Sequence, residues 1–367
     1  LRGELRRRGH EISVGWGNRN WHPFVDEGLA ELADAGARRI LVLPTSAYAS
    51  YSGCRRYRED LDSALASFEG RYGHATLGAE SSSDNAEDAS LIVDKVRPFY
   101  NTPGMVGAQA KAIAAAYRKL ANDGIDLENV RLVLVTHSIP VAMEEGSAPT
   151  EAERSSIAPD LSTEISYVAQ HRALIRALLP LVRGSLGLSR IEWDLAFCSR
   201  SGPASSRWLE PDVNDHLEAL AAGHLIDGHP VERPGGGGPT HRRPARKGTT
   251  GRPSVSGVVV APIGFIYDHM EVVYDLDVEA RETAAKVGLP YERAATVSTD
   301  GDFIASLVDV LEERAAQARG EDVQPVTLTG AGPFHTVCPE QCCRSGRPGV
   351  RRRGESDAAR AEPRLER

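Results

Sequence analysis

Short runs of consecutive apolar residues alternate along the chain with longer stretches in which apolar residues recur every three or four positions. The runs RILVLP (39–44), VRLVLVTHS (130–138), IEWDLAF (191–197) and GVVVAPIGF (257–265) predict buried strands, and ISVGW (12–16) predicts a short one. Between them, helical spacing runs through 23–37, 108–123, 163–182, 213–222, 268–288 and 302–318. The first of these helices has an early proline, Pro23, and Gly36 near its end, as helix start and stop chemistry requires. Strands alternating with helices predict an α/β protein with mostly parallel sheets, in two halves. The halves are expected over 1–125 and 126–335, with a C-terminal cysteine motif and basic tail over 336–367.

Two stretches break the alternation. Residues 223–257 are rich in Gly, Pro and Arg and separate a helix from the strand that should follow it. Such connections usually take two to six residues, so a disordered insertion is expected. Residues 80–90 form a shorter polar loop, and the tail beyond Cys343 has no apolar period.

Composition adds charge to this picture. The 367 residues carry a formal net charge of −8. Residues 229–253 hold six basic side chains against one acid, and 344–367 hold eight against four, which leaves −17 on the remainder. An acidic body argues against nucleic acid as the main partner. No apolar run approaches the roughly 20 residues that cross a bilayer. The basic start, LRGELRRRGH, lacks the apolar stretch of a secretory signal, so a soluble cytoplasmic protein is expected.

Chemistry concentrates at two strand ends and among the cysteines. His137 follows an apolar strand directly. Alone it reads either as a hydrogen-bonded cap or as a functional group at the carboxyl edge of a sheet, where ligands bind in such folds. The strand at 257–265 runs into Asp268, His269, Glu271 and Asp275, and helical spacing puts residues 268, 271 and 275 on one face. Acid at a helix start stabilises the helix dipole, which accounts for Asp268 but not for a third acid two turns in. His137 and Glu271 on neighbouring strand ends would hold a divalent metal or pass protons. Of five cysteines, Cys338, Cys342 and Cys343 crowd together, a pattern that favours a metal or cluster site over a disulfide in a reducing compartment.

Six segments occur in order: WGNRNWHPFVDEGL, PTSAYASYSGCRRYREDL, VTHSIP, SRSGPASSRWLEPDVNDHLEAL, VVVAPIGFIYDHMEVVYDLD and VCPEQCC. Together they resemble the ferrochelatases of high-GC Gram-positive bacteria. The resemblance implies two Rossmann-like halves around a porphyrin cleft, in which Fe²⁺ enters a porphyrin and two pyrrole protons leave. It implies His137 as metal ligand and proton acceptor, Glu271 as the opposite carboxylate, and Asp268, His269 and Asp275 as a path for metal or protons. Tyr57 and Trp208 are implied as porphyrin contacts.

The same resemblance implies a [2Fe–2S] cluster on Cys54, Cys338, Cys342 and Cys343, with Cys198 as the substitute ligand. It implies coproporphyrin III, rather than protoporphyrin IX, as the porphyrin, and a downstream haem-pathway enzyme as a partner. It further implies a chain that begins past the family's first strand and porphyrin-binding loop. On that ground a porphyrin-holding protein without turnover is one alternative, and a chelatase for another tetrapyrrole and metal is a second.

Overall fold

The computed structural model describes residues 1–68, 71–72, 75–77, 91–147, 166–202, 206–223, 255–330, 332–336 and 342–345. The expected polar loop at 80–90, nearly all of the 223–257 insertion, most of the C-terminal tail and Cys338 lie outside these residues.

Two sheets carry the chain, and every strand pairing in both is parallel. In the first, β1 (Arg39–Val42), β2 (Ala75–Leu77) and β3 (Leu91–Lys95) stand in the order β1-β3-β2. In the second, β4 (Val130–His137), β5 (Glu192–Cys198), β6 (Gly257–Ala261) and β7 (Tyr291–Arg293) stand in the order β5-β4-β6-β7. The expected α/β class with parallel sheets is therefore what the chain adopts.

In the second sheet β4 and β6 are buried on both faces, which is why they read as largely apolar runs. Side chains alternate across a strand. Leu132 and Leu134 of β4 meet α4 (Pro103–Asn122) and α6 (Tyr167–Leu186) in the main core. Val133 and Val135 face the other way, into a core shared with α7 (Val213–Ala221) and the helix after β6. Local chemistry sets the helix ends. Thr102 accepts from the Met105 amide ahead of Pro103, Ser166 caps α6, and α6 stops at Gly187 in the left-handed region.

The first sheet has its own core, built on Ile40, Leu91 and Val93 with α2 (Val25–Asp34) and α3 (Arg56–Ala66). The last helix, α9 (Gly301–Ala318), is tied to that half by two buried ion pairs, Arg97–Glu313 at 2.7 Å and Asp94–Arg314 at 2.5 Å.

Two elements differ from the sequence expectation. Ile12–Trp16 is not a strand, and Ile12 and Trp16 are exposed. Among the described residues no strand lies beside it. The segment instead rests on α2, where a Cβ on Gly28 would meet the Trp16 carbonyl at 2.5 Å. The helix expected from Asp268 starts at Met270, is π-helical over Val273–Ala280, and returns to α-helix over Arg281–Lys286. We refer to this continuous helix as α8.

Candidate metal and porphyrin site

His137 is the last residue of β4, and the turn after β6 brings Glu271 to it. His137 Nε2 lies 4.0 Å from Glu271 Oε2, with the two side chains 31% and 52% exposed. His137 Nδ1 lies 2.5 Å from the Ser138 carbonyl oxygen. A carbonyl only accepts, so Nδ1 carries a proton. In the neutral ring that leaves the Nε2 lone pair free on the Glu271 side, ready for a metal or a proton.

The remaining acids of this region have distinct partners. Asp275 accepts a very short hydrogen bond from the Ser199 hydroxyl, and Ser199 holds a left-handed backbone with φ 62°. Asp268 pairs with Arg293 at 3.1 Å, and the same guanidinium takes Asp277 at 2.6 Å. His269 is exposed and stands edge-on to Phe265, with ring centroids 5.4 Å apart. The π-helical stretch widens the turn, so the spacing 268, 271, 275 does not translate into one face of a regular α-helix.

Trp208 is half-buried, bridges Pro140 by backbone pairing, and lies so close to Gly202 that a Cβ there would stand 2.3 Å from its ring. Tyr57 is half-buried on α3, with the Arg19 guanidinium 4.9 Å above its ring. The structure thus brings His137 and Glu271 together, while the described contacts of Asp268 and Tyr57 are with Arg293 and Arg19.

Sequence reasoning passed over the apolar neighbours of the acids. Tyr267, Met270 and Tyr274 are 60%, 77% and 52% exposed. They flank Glu271 along the chain, and their apolar character among the acids was the available signal. Exposed aromatic and thioether groups beside a histidine–carboxylate pair suit the face of a flat apolar ligand.

A second constellation is closed to solvent. Cys54, Cys342 and Cys343 pack in one buried cluster with Ala49 and Phe334, and none of the three is in a disulfide among the described residues. The Sγ atoms of Cys342 and Cys343 are 3.6 Å apart. Lys95 Nζ lies 3.3 Å from Cys54 Sγ, and His335 Nε2 lies 3.2 Å from Cys342 Sγ. Hydrogen bonds to Cys342 and Cys54, with burial, favour the protonated Cys343 thiol and push its pKa well above the ordinary value. Among the described residues no three His, Cys, Asp or Glu side chains are arranged around a single metal ion. Cys198 packs elsewhere, in the core of the second sheet with Val213 and Leu217, and burial pushes its thiol up.

Fold and site together define an α/β protein of two parallel sheets that presents a histidine and a carboxylate across a gap at the strand ends. The ferrochelatase family model matches residues 1–227 and 248–315, and the chain belongs to that family. It is 39% identical to a coproporphyrin III ferrochelatase of Streptomyces griseus, across 95% of this chain and 78% of that one. It is 35% identical to the coproporphyrin III ferrochelatase of Frankia alni, across 90% and 69%. Among solved structures, SirB from Bacillus subtilis with Fe³⁺ aligns with a TM-score of 0.44 at 11% identity, covering 87% of this chain and 90% of that one. Among the described residues no helix is long and apolar enough to cross a membrane.

Proposed function

We propose that this chain inserts Fe²⁺ into coproporphyrin III as a step of haem synthesis. The observation that carries the reading is the His137–Glu271 pair, 4.0 Å apart, with the His137 lone pair turned toward the carboxylate. A gap of that size is roughly the sum of two metal–ligand bonds of about 2.0–2.2 Å. Iron enters as a dication and the porphyrin gives up two N–H protons, so the ring leaves neutral and two protons need acceptors. His137 Nε2 is one acceptor and Glu271 the other. The metal is the substrate, and the pair both receives it and balances its charge.

The porphyrin would lie against Tyr267, Met270 and Tyr274, with Trp208 and Tyr57 as further walls. The path for metal or protons would run through His269, Asp275 and Asp268.

We further propose that Cys54, Cys338, Cys342 and Cys343 hold a [2Fe–2S] cluster, the number of thiolates that cluster takes. Support comes from the donor set: three of the four share one dry pocket, and the Lys95 ammonium beside Cys54 offsets thiolate charge. Such a cluster supplies one-electron redox chemistry when bound.

The reading is tested by anaerobic incubation with Fe²⁺ and coproporphyrin III, following loss of porphyrin fluorescence. Consumption of coproporphyrin III, faster than that of protoporphyrin IX, is expected. Absence of turnover on both porphyrins overturns it.

A further inference from the structure

Beneath the His137–Glu271 pair lies a polar network that neither touches the gap nor has a place in the proposed chemistry. It contains His171 of α6, fully buried, whose Nδ1 lies 2.7 Å from the Tyr167 carbonyl and so donates to it. Burial pushes the His171 pKa down to about 3, so the ring is neutral. Its Nε2 therefore accepts, and Thr136 Oγ1 donates to it at 2.8 Å. The Tyr167 hydroxyl lies 2.7 Å from Thr136 Oγ1 and 3.1 Å from the His137 carbonyl, and shares its one proton between them.

The same network reaches the other wall. The Tyr48 ring stacks on His171 with centroids 3.8 Å apart and an interplanar angle of 9°. The Tyr48 hydroxyl donates to the Ile263 carbonyl at 2.9 Å, and Gln109 Nε2 donates to that carbonyl at 3.1 Å. Ile263 and Gly264 open the segment that leads to Glu271. Gly264 sits directly on Thr136: a Cβ there would lie 2.0 Å from Thr136 Oγ1. Thr136 thus joins the strand end bearing His137 to the loop bearing Glu271, with Tyr167 and His171 fixing it from behind.

Apolar side chains would hold α6 on the sheet without the cost of burying a hydroxyl and an imidazole. What they would not supply is a directional grip on one carbonyl in each wall. A metal-handling pair needs that grip, because its spacing decides whether both donors reach one ion.

We propose that Thr136, Tyr167 and His171 are positioning residues that set the His137–Glu271 spacing, and hence the handling of Fe²⁺ rather than of porphyrin. The inference rests on the assignment of that pair to metal insertion.

The test is steady-state insertion by Thr136→Val, Thr136→Ser, Tyr167→Phe and His137→Ala in the full chain, with Fe²⁺ and coproporphyrin III varied separately. Thermal unfolding of each variant reports the folded fraction. Thr136→Val and Tyr167→Phe are expected to lower kcat/KM for Fe²⁺ by about 10- to 100-fold, with KM for coproporphyrin III within about twofold of wild type. Thr136→Ser, which keeps the hydroxyl, is expected to restore wild-type behaviour. Should Thr136→Val not fold, Tyr167→Phe, which keeps the ring, carries the test.

The inference is overturned if the folded variants have wild-type kcat/KM for Fe²⁺. It is equally overturned if kcat falls only in step with the folded fraction while both KM values stay unchanged. Loss of activity in His137→Ala together with wild-type behaviour of both network variants removes the network alone. Full activity of His137→Ala removes the metal-insertion assignment and the network with it.

Discussion

The cleft pair and the cysteine pocket are built on opposite plans. His137 ends β4, and Glu271 lies in the first turn of α8, which follows the neighbouring parallel strand β6; each side chain is partly open to solvent. Cys54 comes from the π-helical turn Tyr51–Arg55 that leads into α3, Cys342 and Cys343 come from far along the chain, and their pocket is closed. A site that must admit a metal, load it and release the product needs open donors on rigid supports. A site that keeps its metal needs the reverse, closed donors drawn from segments that the bound group itself ties together. On the reading proposed above, the difference separates turnover from residence within one chain, and each half can be broken separately.

The largest effect is expected from Glu271→Gln. Removing one proton acceptor while keeping the shape should cut kcat for iron insertion by about 10²- to 10⁴-fold. The visible absorbance of the cysteine pocket in anaerobically purified protein should not change. Conversely, Cys54→Ser should bleach that absorbance, and wild-type protein purified without air and found colourless would contradict the pocket's role.

A smaller effect, on the cleft alone, is expected from Gly264→Ala. The new methyl would collide with Thr136, so unfolding in urea should show a loss of roughly 1–3 kcal/mol. Insertion should slow as well, because the two walls are pushed apart.

Acid should expose the brace beneath the cleft. His171 is held at about 3 when folded, below its ordinary 6.5. The unfolded chain therefore binds a proton that the folded chain refuses, and stability should fall as pH drops from about 6.5 toward 3. The slope attributable to this group is about 1.4 kcal/mol per pH unit, and His171→Gln should lose it in denaturation curves taken at several pH values. The smallest effect belongs to the pocket: Lys95→Ala, which deletes the contact to Cys54, should cost roughly 1 kcal/mol by thermal unfolding and leave insertion rates unchanged.

The architecture was legible because β4, β5 and β6 are buried on both faces and so read as plain apolar runs. The three-residue strands β2 and β7 carry too few residues to show a period. The Ile12–Trp16 misreading has a different origin. Its composition suits a strand, but a strand exists only beside a partner, and here α2 occupies that side.

At the site, His137 and Glu271 could be picked out because an apolar strand ending in a polar group is a local signal. The π-helical stretch over Val273–Ala280 has no such signal, so the acids read as one α-helical face. His171 was hidden by its surroundings, since within an amphipathic helix it looks like any core position. Cys198, implied as the substitute cluster ligand, is instead buried in the core of the second sheet.

The most direct test of the division between the two sites is a paired reading on one anaerobic sample of His137→Ala. Iron insertion into coproporphyrin III and the visible absorbance of the cysteine pocket are measured together against wild type. Insertion should fall at least about 100-fold while the absorbance is unchanged. Retained insertion, or loss of insertion and absorbance together, would contradict the account.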